Sequence, residues 1–237
     1  MNVFIGLDVS LASTAICVLG PQGKIVEELQ AESEPEALVR AIGTLPFSIA
    51  AIGLEAGPLS QWLSKGMEEA GFDVVMMETR LVKAALKAMP IKTDRRDAQG
   101  IARLLQMGWY RPVHRKSVSS QEIRALLAAR KSVQQAIINL ELSMRGVLRN
   151  FGLKLGHVTR IRYEARVREL VEQNDILSAS TEALLRARAQ LRVELAELDA
   201  KIADLAKQDD VCRLMMTMPG VGRIVALTVK SAIDDPT

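Results

Sequence analysis

Histidine and cysteine are scarce in this chain of 237 residues, and each scarcity excludes a class of site. The two histidines, His114 and His157, both stand in basic segments, so histidine-based catalysis and histidine-rich metal sites are not expected. The two cysteines, Cys17 and Cys212, lie far apart. They are too few for a disulfide framework or a four-ligand zinc site, and a reducing compartment is the default expectation.

Long uncharged runs and nucleotide-binding motifs are also missing. The longest charge-free stretches, Val9–Gly23 and Ala41–Leu54, are interrupted by Gly or Pro and fall short of the ~18–20 residues of a membrane span. No basic segment precedes an apolar core at the N-terminus, so no secretion signal is predicted. Gly-x-x-x-x-Gly-Lys and Gly-x-Gly-x-x-Gly are both absent, which leaves a P-loop or Rossmann site without support. We therefore expect a cytoplasmic protein without membrane association.

Charge is distributed unevenly along the chain, although the net charge is only +3. Residues 1–79 hold 3 basic and 11 acidic side chains, whereas residues 80–118 hold 10 basic and 2 acidic ones. Residues 119–170 are also basic, and residues 171–237 are mildly acidic. A basic middle on an otherwise acidic chain indicates a polyanionic partner, or else a set of solvated helix faces.

The first part of the chain, residues 1–110, alternates strand and helix signals. Asn2–Asp8 is predicted as a short strand, and two further strands are joined by a turn at Gly20–Gly23. The continuous apolar run Ser48–Glu55 predicts a strand that is buried on both faces. With two helices and the strand Asp73–Met77, the predicted order is β-β-β-α-β-α-β, which is a mixed α/β layer.

Helical patterns dominate the remainder of the chain. Residues 111–118 form a basic linker, residues 119–210 carry leucine heptads, and residues 211–237 contain a Pro-Gly-Val-Gly hairpin before a short apolar helix. One helix repeats Leu126, Val133, Leu140 and Val147, and a second repeats leucine every seven residues from Leu177 to Leu205. Sustained heptads predict a coiled coil, either as an antiparallel hairpin within one chain, as a dimer seam, or as both.

Four acidic residues fall where α/β sheets build sites. Asp8 and Glu55 end two predicted strands next to glycine, and Asp94 and Asp97 share one face at the start of a helix. Unpaired carboxylates in one place repel one another, and a divalent cation with a preference for oxygen ligands removes that repulsion. The sequence therefore predicts that these four acids are both metal ligands and catalytic residues, with Mg²⁺ or Mn²⁺ as cofactor.

Basic residues surround the predicted metal site and recur near the C-terminus. They are expected to position phosphates without reading sequence. Trp109 and Tyr110 are expected either to stack on bases or to anchor a core. Glycines in the Pro-Gly-Val-Gly hairpin leave room for backbone amides to approach a phosphate. The predicted nucleic-acid-binding residues are Lys83, Lys87, Lys92, Arg95, Arg96, Arg103, Arg111, Arg115, Lys116, Gly220, Gly222 and Arg223.

The segments GLDVS, GLEAG, KTDRRDAQGIARLL and PGVGRIVALTV resemble the DEDD transposases of bacterial insertion sequences, the Piv/MooV-type recombinases. The resemblance covers essentially the whole chain, and the KTDRRDA block is its most specific part. It implies a RuvC-like domain of RNase H fold, a coiled coil, and the start of a C-terminal transposase domain.

By this resemblance Asp8, Glu55, Asp94 and Asp97 stand where the family has its four metal-binding acids. The implied activity is DNA transposition by phosphodiester strand transfer, with double-stranded DNA as substrate, a structured bridge RNA as guide in some members, and a homo-oligomer formed through the coiled coil. The family also carries a catalytic serine further along the transposase domain. Because no such serine can be assigned here, we expect a truncated chain that does not complete recombination alone.

Three other functions stay open at this point. A Holliday-junction or RNase H-like nuclease would use the same acids with water as nucleophile, but it needs neither the heptads nor the hairpin. An actin-like kinase or ATPase would need a second phosphate loop that is not found. A non-catalytic coiled-coil protein that binds DNA would leave the acids with structural roles only.

Overall fold

The computed structural model describes residues 1–87 and 93–234, and the chain forms two compact units, Met1–Arg115 and Lys116–Thr237. None of the helices in the described part of the chain combines the length and the apolar composition that a membrane crossing requires.

The elements of the first unit are β1 (Asn2–Val9), β2 (Ser13–Leu19), β3 (Ile25–Glu32), α1 (Pro35–Gly43), β4 (Ser48–Glu55), α2 (Ser60–Glu69), β5 (Val74–Met77), α3 (Thr79–Lys87) and α4 (Asp94–Gln106). The strands form one sheet with the order β3-β2-β1-β4-β5. Strand β2 runs antiparallel to both of its neighbours, and β1, β4 and β5 are parallel. The mixed α/β layer that the sequence predicts is confirmed, and its topology is that of the RNase H-like fold that the family resemblance implies.

The two faces of this sheet carry different side chains, because successive residues of a strand point to opposite sides. Ile5, Leu7, Ile52 and Leu54 lie on one face and are fully buried with apolar residues of α1 and α2. This face contains the main apolar core of the unit. The opposite face packs against α3 and α4. Asp8 lies on this second face, because it is two residues from Gly6 on the same strand.

The secondary structure of the second unit is helical in its described residues, with the elements α5 (Val118–Asn150), α6 (Tyr163–Val171), α7 (Asp175–Gln208), α8 (Asp210–Met215) and α9 (Arg223–Ile233). The two long helices, α5 and α7, run antiparallel: Arg130 of α5 pairs with Asp199 of α7 at 2.6 Å, and Glu141, further along α5, pairs with Arg188, which comes earlier on α7. Of the arrangements that the heptads predict, the structure shows the antiparallel hairpin within one chain, and pairing between chains stays a prediction.

The seam of this hairpin is less purely apolar than the leucine heptads predict. Arg188 of α7 is only 2% exposed, and its Nε donates to Glu141 Oε1 at 2.7 Å. Its Nη1 donates to Glu164 Oε1 at 3.1 Å, and its guanidinium lies 4.5 Å from the centroid of the Tyr163 ring. One buried cation therefore joins α5, α6 and α7.

Candidate active site

Asp8 and Glu55 lie side by side because their strands are parallel neighbours in register. Leu7 pairs with Leu54 in the ladder of β1 and β4, so the acid that follows each leucine is brought to the same edge of the sheet. The carboxyl ends of parallel strands form the crevice in which α/β sheets place their sites. Glu55 ends β4 as predicted, whereas β1 continues one residue beyond Asp8, to Val9. The two acids nevertheless lie at the same end of neighbouring parallel strands.

Helix α4 approaches these two strands closely because each strand carries glycine two residues before its acid. Gly6 and Gly53 are register partners on the face that packs against α4. A Cβ on Gly6 would lie 2.1 Å from the carbonyl oxygen of Ala98 and 2.4 Å from the backbone nitrogen of Ala102. No side chain fits there, so this contact allows the helix to lie directly on the sheet.

The start of α4 carries the other two acids. Thr93 caps the helix, since its hydroxyl accepts from the backbone N–H of Arg96 at 3.3 Å, and Asp94 and Asp97 occupy the first turn. Asp94 is exposed and Asp97 is half-buried. Burial and the negative charges of Asp97, Asp94 and Glu55 raise the pKa of Asp8 from its ordinary value to about 6. All three other acids therefore act electrostatically on Asp8.

Glu55 has a mixed environment. Burial raises its pKa, Lys83 and Thr79 oppose that rise, and Asp97 adds to it. The Lys83 Nζ lies 3.8 Å from Glu55 Oε1. The ammonium of Lys83, a predicted nucleic-acid-binding residue, thus lies beside a predicted metal ligand, and its contact with phosphate stays a prediction.

The donor chemistry of these acids fits a divalent cation, since carboxylate oxygens are the ligands that Mg²⁺ prefers. Their positions do not yet form a ligand cluster: across residues 1–87 and 93–234, no three His, Cys, Asp or Glu side chains are grouped closely enough to hold a metal ion. The acids are close enough for their charges to affect the pKa of Asp8, but their side chains are too far apart to ligate one ion. The four-acid metal site therefore stays a prediction.

A cavity of about 320 Å³ opens beside Asp8 and Glu55. Ser10 and Leu11 line one side, and the Gly57–Ser60 turn lines the other. Sequence reasoning missed these residues, although they follow the two strand-end acids directly in the chain. The cavity gives an extended group access to both carboxylates.

The predicted nucleic-acid-binding residues of the first unit fall into two groups. Arg111 lies 3.9 Å from Glu78, and Arg115 pairs with Glu68, so both are engaged within the unit. Lys92 lies outside the described residues. Trp109 is 58% exposed, whereas Tyr110 packs on the core beside α3 and α4. Lys87, Arg95, Arg96 and Arg103 form the second group, whose side chains are exposed.

The remaining predicted residues belong to the second unit. Lys116 donates to the carbonyl oxygen of Ala232 at 2.6 Å. The Pro-Gly-Val-Gly segment is a hairpin between α8 and α9, in which the Val221 N–H donates to the Met218 carbonyl and Gly220 has φ +84°. Gly220 is the third residue of this four-residue turn, and glycine adopts the positive φ required there without steric strain. Gly220, Gly222 and Arg223 are exposed.

Comparison with known proteins agrees with this geometry. The family model of IS110-type DEDD transposases, described as "Transposase", matches residues 5–152. The transposase for insertion sequence element IS1111A of Coxiella burnetii is 26% identical over 98% of this chain, and the chain spans 63% of that relative's length.

Two solved structures of Thermus thermophilus RuvC, one described as a complex with Holliday junction substrate, are 16% identical to this chain. Each match covers 47% of this chain and 99% of the RuvC chain, with TM-scores of 0.35 and 0.32. The fold class rests on the strand order given above, and the family rests on the match over residues 5–152. The chain belongs to the family of IS110-type DEDD transposases.

Proposed function

We propose that this chain carries the metal-dependent DNA site of an insertion-sequence transposase, which cuts and joins DNA by phosphodiester strand transfer. One arrangement supports this most strongly: β1 and β4 hold Asp8 and Glu55 at the same end of neighbouring parallel strands, and α4, packed on Gly6, carries Asp94 and Asp97 in its first turn. Burial, with the charges of Asp97, Asp94 and Glu55, accordingly raises the pKa of Asp8. Acids that repel one another at a sheet edge are unfavourable for the fold alone. Such an arrangement is typical of a site that binds cations.

The proposed ligands are Asp8, Glu55, Asp94 and Asp97. A divalent cation held by these acids would stabilise negative charge on phosphodiester oxygens. The chain's own cations have separate tasks: Arg95 and Arg96, exposed on the first turn of α4, hold backbone phosphates beside the acids. Lys83 keeps the Glu55 carboxylate oriented through their 3.8 Å ion pair.

The wider proposal follows the family. We propose double-stranded DNA as substrate, acted on in the bacterial cytoplasm at the nucleoid, with guidance by a structured RNA. We further propose pairing of protomers through the coiled coil of α5 and α7. Ile138, Leu142 and Val193 support this, because these apolar side chains of the two long helices are 41–59% exposed. Because the chain spans 63% of its curated relative, complete recombination is proposed for the whole transposase.

Duplex DNA binding with and without divalent cations tests the proposed site. For the wild-type chain we expect tighter binding in Mg²⁺ than in EDTA at matched ionic strength, because the cation offsets repulsion between the acids and the phosphates. Asp94→Asn removes one negative charge, so we expect equal or tighter binding in EDTA and little further gain from Mg²⁺. Asp73→Asn, at an exposed acid elsewhere in the unit, is the control and should behave like wild type. A Mg²⁺ response that Asp94→Asn retains in full contradicts the proposal.

A further inference from the structure

A groove in the second unit lies between α5 and α9 and has a volume of about 700 Å³. Leu127 and Ile224 contribute apolar surface, and Arg124, Arg130 and Lys131 contribute three basic side chains. No acidic residue lines the groove within the described part of the chain. The charged side chains that line it are therefore all basic.

The three cations differ in what they already bind. Arg130 is engaged, because its Nε donates to Asp199 at 2.6 Å and its Nη1 donates to Gln134 at 2.9 Å. Arg124 and Lys131 are exposed and make no hydrogen bond or ion pair within residues 1–87 and 93–234. They stand seven residues apart on one face of α5, about 10 Å along the helix axis. Two cations are thus available to a ligand outside the fold.

The groove reaches the first turn of α9, which directly follows the Pro-Gly-Val-Gly hairpin, because Ile224 is one of its lining residues. Ser117 and Ser120 at the start of α5 donate to the Asp234 carboxylate, so the end of α9 lies at the start of α5. The beginning of α9 therefore lies further along α5, on the side of Lys131. Gly222 caps α9 without a side-chain hydrogen bond, which leaves the amides of the first turn free of a side-chain cap.

We infer that this groove binds the phosphodiester backbone of duplex DNA, with Arg124 and Lys131 each contacting a phosphate and the α9 amides extending the same surface. Duplex DNA carries one negative charge per ≈1.7 Å of axis, so a span of about 10 Å presents several phosphates to the two cations. The start of a helix adds positive potential at the hairpin end. The inference rests on the proposed action on DNA, and it adds a backbone-binding surface that is separate from the acidic site.

The experiment measures binding of a 30-bp duplex by fluorescence anisotropy at several salt concentrations, with the full chain. The Arg124→Gln/Lys131→Gln double variant should bind on the order of tenfold more weakly, and the slope of log K against log[salt] should fall by about 2, since each lost phosphate contact contributes ≈0.9. Arg124→Gln/Arg149→Gln is the matched control, because it keeps Lys131 and removes an exposed cation at the far end of α5. For this control, the fall in the slope of log K against log[salt] should be only about half as large, since one phosphate contact is lost and not two. Thermal unfolding of each variant should match wild type, since all three side chains are exposed.

Four outcomes overturn the inference. Wild-type affinity and slope in the Arg124→Gln/Lys131→Gln variant would contradict the groove alone and leave the acidic site untouched. Losses of equal size in both double variants would show that the charge, and not its position in the groove, matters. Failure of the wild-type chain to bind duplex DNA, or binding of an RNA hairpin that duplex DNA does not displace, would contradict the groove as a DNA site. Calorimetric titration of the chain with Mg²⁺, which needs no DNA, separates this failure from that of the proposed acidic site.

Discussion

Gly6 of β1 lies directly against the carbonyl oxygen of Ala98 on α4, so closely that a Cβ on Gly6 would fall 2.1 Å from that oxygen. Two residues after Gly6 stands Asp8, and one turn before Ala98 stands Asp94. This backbone contact therefore sets the distance between the strand that carries one acid and the helix that carries two others.

Gly6→Ala should force α4 away from the sheet. Overpacking typically costs 1–3 kcal/mol, and because the clash is with backbone we expect the free energy of unfolding to fall by about 3 kcal/mol. Urea denaturation measures this. Gly43→Ala, where a Cβ meets nothing within 4 Å, is the control and should change stability by less than about 1 kcal/mol. Equal stability of the Gly6→Ala variant and wild type would show that α4 is not held by this contact.

Asp8→Asn should stabilise the metal-free protein at neutral pH. Burial and the neighbouring acids raise the pKa of Asp8 to about 6, so the folded state holds this proton more tightly than the unfolded state. The resulting stability is fully present below about pH 4 and is lost as pH rises through about 6. At pH 7.5 the variant avoids that loss, and we expect a gain of about 1–2 kcal/mol, allowing for solvent screening.

Thermal unfolding in EDTA at pH 4 and at pH 7.5 measures this effect. The variant should exceed wild type only at the higher pH. A variant that is less stable than wild type at pH 7.5 would show that the Asp8 carboxylate is not under repulsion.

Arg188→Met should destabilise the helical unit. The substitution leaves Glu141 and Glu164 without the cation that joins α5, α6 and α7, and breaking a buried pair by removing one partner costs 3–5 kcal/mol. Because both glutamates are about a third exposed, we expect a loss of about 3 kcal/mol. Lys201→Met, at an exposed position of the same helix, is the control. Increased stability of Arg188→Met would mean that apolar packing outweighs the ion pairs.

Arg95→Gln/Arg96→Gln should weaken duplex DNA binding without affecting the affinity for Mg²⁺. Both side chains are exposed beside the acids, so each is expected to contact a phosphate, and the salt slope should fall by about 2. Anisotropy across a salt series measures the slope. Arg40→Gln/Lys65→Gln, which changes the same charge on α1 and α2, should retain the wild-type slope. An identical fall in both double variants would indicate a general charge effect.

Much of the sheet could be predicted because its signals are local. The turn Gly20–Gly23 separates two strands, and the runs that end in Asp8 and Glu55 each carry their acid after an apolar segment. Parallel neighbours place such strand ends at one edge, so the prediction that these two acids meet needed only the strand order. The heptads likewise predict antiparallel helices, since their spacing repeats over both long segments.

Contacts between distant residues could not be predicted in this way. Helix α4 packs on Gly6 through a backbone contact with Ala98, which is 92 positions away in the sequence. A periodic pattern of apolar residues does not predict such a contact. The position of Lys83 among other cations in the sequence predicts a phosphate contact, but it does not predict the ion pair with Glu55 that the fold forms. The heptad pattern predicts an apolar side chain at position 188, where the chain has Arg188. This charged side chain can be buried because Glu141 and Glu164 pair with it.

Calorimetric titration of the metal-free chain with Mg²⁺ and Mn²⁺ tests the central claim, that Asp8, Glu55, Asp94 and Asp97 share a divalent cation. Wild type and Asp73→Ala should show a saturable binding signal, and Asp94→Ala should lose it. A titration that is unchanged in Asp94→Ala, or the absence of any specific signal in wild type, would contradict the account.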